Sequence, residues 1–194
     1  MSSNIITLGN EVVISDPCYT IPTWCQYKTD KVLPGQYHTF VNRNDRFGWG
    51  MRNTGLLAVH EDFVSQPLKF RRIAAADIGV DSGQAGIFDL NSYRNDDVFK
   101  NEVSEFAKKY RSGDKDGGEE WYCHMADRTL SEIGWGSYSH GVVSSSGIGD
   151  GSYILRVAKH KGKIVALFID FGIDYFGDDI IQNMYLQTAN SNPS

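Results

Sequence analysis

Gly147-Ile148-Gly149-Asp150-Gly151-Ser152-Tyr153 leads straight into two apolar stretches, 153–159 and 163–171, the second ending Phe168-Ile169-Asp170-Phe171. The connection His160-Lys161-Gly162 places a glycine where a hairpin needs a positive-φ residue. Along 163–171, Val165, Leu167, Ile169 and Phe171 alternate onto one face, and Ile164, Ala166 and Phe168 onto the other. A strand apolar on both faces belongs at the centre of a β-core. The fold follows from that hairpin.

Working outward, 11–15 reads as a strand stopped by Asp16-Pro17, and 36–41 alternates as a half-buried strand after the Pro34-Gly35 turn. Strands are also expected at 47–51, 55–60, 68–75, 87–88, 121–131 and 138–144. One amphipathic helix is expected over 96–111. Asn95 or Asp96 offers an N-cap, Phe99, Val103, Phe106 and Tyr110 form the stripe, and Lys108 and Lys109 suit the C-terminal end. The charged, glycine-rich 112–120 reads as a surface loop, and 179–186 as a weak helical turn. The architecture expected is mainly β (α+β), an antiparallel β-sandwich or open barrel with one amphipathic helix packed outside. It occupies 1–186, with a polar C-terminal tail at 187–194.

Composition agrees. Twenty Gly, ten Tyr and ten Phe among 194 residues favour strands and tight turns. The net charge of −5 and the scattered basic residues exclude an extended nucleic-acid surface. The longest apolar run, 164–169, is too short to span a bilayer. Three cysteines and no evident export signal point to reduced thiols in a soluble, cytoplasmic protein.

Three carboxylates stand at turns or strand ends: Asp16 in Asp16-Pro17-Cys18-Tyr19, Asp81 in Gly79-Val80-Asp81-Ser82-Gly83, and Asp150 between Gly149 and Gly151. Each is open to two readings. Asx side chains bond their own backbone in tight turns. Alternatively, Asp16, Asp81 and Asp150 converge at one end of the fold, with Asp170, to hold a cation or act as acid and base. Asp150, Asp81 and His140 are then the candidate catalytic residues. Asp16, Tyr19, Ser82, Gly149, Gly151, Tyr153, Arg46 and Arg52 are the candidate ligand contacts, since glycine lets backbone amides approach an anion.

No metal-ligand pattern is predicted. Cys18, Cys25, Cys123 and His124 lack the spacing of a zinc site, and Asp114-Lys115-Asp116-Gly117 breaks the spacing of a calcium loop. Arg43, Arg46 and Arg52 alternate with Phe47 and Trp49. They form either a solvated strand face or a phosphate clamp with rings for stacking.

The order of Asp16-Pro17, Pro34-Gly35-Gln36-Tyr37, Gly79-Val80-Asp81-Ser82-Gly83, Phe88-Asp89, Gly149-Asp150-Gly151-Ser152-Tyr153 and Ile169-Asp170-Phe171 resembles an uncharacterised domain-of-unknown-function family of bacterial and phage proteins. The resemblance implies a compact β-rich domain and suggests an accessory or counter-defence role in phage. The function expected is binding, extending to hydrolysis, of a small polar ligand such as a nucleotide or nucleotide signal. The alternative is a protein-interaction module of inhibitor or immunity type. Cofactor and oligomeric state are not specified by the sequence.

Overall fold

The computed structural model describes residues 4–45, 47–110, 118–174 and 177–189. The described strands are β1 (Asn4–Leu8), β2 (Val12–Ser15), β3 (Tyr27–Thr29), β4 (Gly35–Asn44), β5 (Arg52–His60) and β6 (Arg71–Val80). They continue with β7 (Gln84–Asp89), β8 (Trp135–Tyr138), β9 (Gly141–Ser145), β10 (Gly151–His160) and β11 (Lys163–Asp170). One sheet has the order β1-β4-β5-β11-β10-β6 and the other β3-β2-β7-β9-β8. All pairings between these strands are antiparallel, and neither sheet closes into a barrel. The expected open, β-rich α+β architecture is what the chain adopts.

β11 lies inside the larger sheet, and every residue from Ile164 to Asp170 is buried. Its two faces are not divided by simple alternation. The register with β10 slips where Ala158 opposes Ala166 and Lys159 opposes Ile164, leaving Val165 as an extra residue. A bulge of this kind reverses side-chain alternation across it. Leu167, Ile169 and Phe171 therefore share the inter-sheet core with Ile164, while Val165, Ala166 and Phe168 pack in the outer cluster.

Helices cover both outer faces, giving four layers. α2 (Glu119–Thr129) places Trp121 and Met125 on Val13, Phe88 and Val143 of the smaller sheet. α3 (Asp178–Ala189) places Ile181 and Tyr185 in the cluster of Phe40, Leu57 and Phe168 on the larger one. No helix among the described residues is long and apolar enough to cross a membrane.

The helical regions are where the sequence reading needs correcting. The single helix over 96–111 is instead a 3₁₀ turn, Asp96–Phe99, followed by a short α1, Glu105–Tyr110. Val103 and Tyr110 are exposed, so the supposed packing stripe is not one. Ser104 breaks it, because its hydroxyl accepts from the Ala107 amide and so starts a new helix. The strand expected at 121–131 is α2. Its aromatic content suits a strand, but Trp121, His124 and Met125 lie at helical spacing and bury one side.

Residues far apart in sequence stabilise these short helices. The Asp127 carboxylate accepts from the amides of Glu105 and Phe106, and Glu120 accepts from Ser104. Asp96 accepts from Gly118 and Trp121, placing a negative charge at the N-terminus of α2. The loop expected at 112–120 falls outside the described residues up to 117, and 119–120 are helical. α3 extends to Ala189, past the expected start of the tail, and 190–194 are outside the described residues. The segment 47–51 is not a strand, because Gly48 and Gly50 curl it at φ +70° and +85°.

Register fixes which loops share an end. Ser15 opposes Gly86, Gln84 opposes Ser145, Val80 opposes Gly151, and Asn44 opposes Arg52. The connections after β2, β4, β6 and β9 therefore emerge together.

The cap on α2 predicts that Asp96→Ala lowers unfolding stability by about 1–2 kcal/mol. The exposed neighbour Asp97→Ala should change it by less than about 0.5 kcal/mol. Urea midpoints for the two variants check this; equal losses would remove the cap from the account.

Candidate functional site

Asp16 closes β2 and is completely buried. One carboxylate oxygen accepts from the Cys18 amide at 2.8 Å and the Ser82 hydroxyl at 2.6 Å. The other accepts from the amides of Asp81 at 2.8 Å and Ser82 at 2.7 Å. Four donors on one carboxylate compensate much of the cost of burying its charge. Asp16 thereby ties the loop after β2 to the turn between β6 and β7.

The other predicted carboxylates meet the same turn. Asp150 accepts from the Gly83 amide at 3.0 Å, and the Ser146 amide donates to the Gly83 carbonyl at 2.9 Å. Asp81 accepts from the Tyr19 hydroxyl at 2.6 Å. Asp16, Asp81 and Asp150 thus gather around residues 81–83, as the convergence reading expects, but their oxygens accept from protein donors. The Asp16–Cys18 bond is the local Asx contact of the other reading, while Asp150 reaches Gly83 and Asp81 reaches Tyr19 from distant parts of the chain. Among the described residues no three His, Cys, Asp or Glu side chains are placed to hold a metal ion.

Burial pushes the Cys18 thiol up to about 12, assisted by its hydrogen bond to Asp16 and the charges of Asp16 and Asp81. Burial and the bond to Asp81 likewise raise Tyr19 above the ordinary phenol range. Both groups stay neutral at physiological pH, so neither is an activated nucleophile.

The glycine-rich turn is held from within. The Gly149 carbonyl accepts from the Ser146 hydroxyl at 2.5 Å and the Tyr153 hydroxyl at 2.6 Å. Gly147 has φ +74°, and a Cβ there would stand 2.6 Å from Ile173 Cδ1. Only glycine fits that backbone and that space. Gly151 opposes Val80 and begins β10.

Beside this turn lies a cleft of about 300 Å³ lined by Arg43, Met51, Arg52, Asn53, Gly83, 132–134 and 145–149. Arg43 opposes Asn53 and Asn44 opposes Arg52 at the end of the β4–β5 pair, so strand pairing brings both arginines to the cleft lining. Arg52 donates to the Gly147 carbonyl at 2.8 Å. The Arg43 side chain has no hydrogen bond or ion pair among the described residues, and the amides of Gly147 and Gly149 have no hydrogen-bond partner there. Glu132 is the one acidic residue of the lining.

Asn53 forms the buried wall of the cleft. Its amide nitrogen lies 2.8 Å from the Gly134 carbonyl, 3.0 Å from Ser144 Oγ and 3.1 Å from Ser145 Oγ, joining the two sheets. Sequence reading missed Asn53, Arg43 as a cleft residue, and Glu132. Asn53 falls just before the strand expected at 55–60, so no sequence signal marked it.

Other predicted residues lie elsewhere. His140 is in the turn before β9, whereas the glycine-rich turn follows β9, so the length of that strand separates it from Asp150. Its carbonyl accepts from the Asp89 amide, a structural contact. The acid–base grouping of Asp150, Asp81 and His140 is therefore not assembled. Asp170 accepts from Arg156 and the Gly172 amide and bonds none of the three turn carboxylates. Arg46 lies outside the described residues.

Comparison of the chain with protein-family models, curated proteins and solved structures finds no match.

The raised Cys18 thiol makes a kinetic prediction. An ordinary cysteine gains thiolate up to about pH 9 and its alkylation rate then levels off. In the folded protein, Cys18 alkylation by iodoacetamide, mapped by mass spectrometry, should keep climbing about tenfold per pH unit through pH 10. At pH 8 it should be at least about a hundredfold slower than in the unfolded chain. A plateau near pH 9 would mean that Asp16 and burial do not hold the proton.

Proposed function

We propose that this protein is a binding domain that takes a small anionic ligand in the cleft between the β4–β5 end and the glycine-rich turn, without chemical turnover. One observation carries the reading: Arg43, Arg52, Gly147 and Gly149 all belong to the same cleft lining, and the amides of the two glycines have no hydrogen-bond partner among the described residues. Guanidinium forks and backbone amides on a curled glycine turn are donors suited to phosphate or carboxylate. Glu132 adds an acceptor for a hydroxyl or amine on the same ligand. The separation of His140 from the carboxylates, and their use as turn caps, argue for binding over hydrolysis.

A second reading, a protein-interaction surface, is favoured by the distribution of exposed apolar side chains. Ile21, Trp24, Phe47, Trp49, Met51, Leu130, Ile133 and Ile148 are exposed on loops at this end. Aromatic and Met side chains on polar loops are common in protein-binding surfaces.

Thermal melting with inorganic phosphate, pyrophosphate and ribose 5-phosphate separates the two. The anion reading predicts a saturable rise in Tm with at least one of these. Arg43→Ala, which removes no internal bond, should weaken that ligand at least about tenfold at unchanged Tm of the free protein. No rise with any of the three, or equal responses in wild type and Arg43→Ala, would contradict the anion site and leave the apolar loops as the binding surface.

A further inference from the structure

The loop that carries Met51 and Arg52 to the cleft also carries an exposed aromatic pair. The rings of Phe47 and Trp49 lie 4.9 Å apart at 39°, and the two residues are 54% and 61% exposed. Gly48 and Gly50, both at positive φ with open space around them, set this curl. The Asp45 carboxylate closes it by accepting from the Gly50 amide at 3.0 Å.

Exposed tryptophan and phenylalanine on this loop bring little folding stability by burial and leave apolar ring surface open to a partner. The adjoining charge selects among possible partners. A volume of about 300 Å³ is at the lower limit for small-molecule sites, enough for a phosphate and its sugar. Any further part of such a ligand must extend beyond the cleft, where Met51 of the lining continues into the loop that carries Trp49 and Phe47, two and four residues away. Aromatic rings beside guanidinium groups suit a planar base attached to a phosphate.

We propose that the ligand is a nucleotide, with its phosphate between Arg43 and Arg52 and its base stacked on the Phe47–Trp49 pair; this rests on the anion reading of the cleft. Phe47 and Trp49 then determine specificity for base-bearing over plain sugar phosphates, and the phosphate contacts are indifferent to the base.

Calorimetric titration of wild type, Trp49→Ala and Trp24→Ala with ribose 5-phosphate and AMP tests this. Among the described residues the one aromatic contact of Trp49 is Phe47, so its removal should leave the fold intact. Trp24 is 94% exposed on another loop at the same end and controls for nonspecific stacking. Wild type should bind AMP at least about tenfold tighter than ribose 5-phosphate. Trp49→Ala should lose that preference while keeping its ribose 5-phosphate affinity, and Trp24→Ala should keep both. Equal affinities in wild type, or a preference that survives Trp49→Ala or is lost in Trp24→Ala, would overturn the stacking assignment while the anion site stands. Failure of both compounds to bind wild type would overturn the anion reading and this proposal with it.

Discussion

The arrangement of the loop-bearing end depends on one buried carboxylate. Asp16 is taken wholly out of water, and a bare charge there would cost several kcal/mol or more. Two donors come from one turn's backbone, one from the Ser82 hydroxyl and one from the Cys18 amide. With 81–83 so fixed, Gly83 presents its amide to Asp150 and its carbonyl to Ser146. The glycine-rich turn is then placed against Arg52 and Asn53, and the cleft follows from that placement. The carboxylate acts as a structural tie.

The two sheets meet again at Asn53. Its side-chain nitrogen reaches acceptors in β9 and in the segment before β8 from within β5 of the other sheet. A buried amide with fewer partners would be a net cost, because each unsatisfied donor loses its hydration. With several acceptors close by, it fixes the relative position of the sheets at the cleft. Ring packing of Phe88, Tyr93 and Trp121 under α2 and of Phe168 under α3 holds the outer layers independently of this end.

Much of this was legible in the sequence, for identifiable reasons. The 153–171 hairpin reads correctly because apolar alternation and a Gly162 turn agree. Its bulge at Val165 does not, since nothing local distinguishes an extra residue in a strand apolar on both faces. α2 was misread because Trp121, Tyr122 and Cys123 carry strand-like chemistry, and the cap that starts the helix, Asp96, lies more than twenty residues upstream. The meeting of Asp16, Asp81 and Asp150 was anticipated from their positions at strand ends. Their hydrogen-bond duties depend on which amides the folded turns bring opposite them. Arg43 could be seen as part of a basic group, but strand pairing was needed to set it beside Asn53 and Arg52.

The most direct test of the central role of Asp16 is native-state amide exchange at Asp81 and Ser82. These amides lie beyond the β6 ladder, so without the carboxylate they would exchange as loop amides do. The account predicts protection in wild type comparable to that of neighbouring strand amides. In Asp16→Asn, protection at Asp81 and Ser82 should fall while amides of β5 and β11 remain protected. Wild-type exchange of both amides at the rate of an unstructured peptide would contradict it.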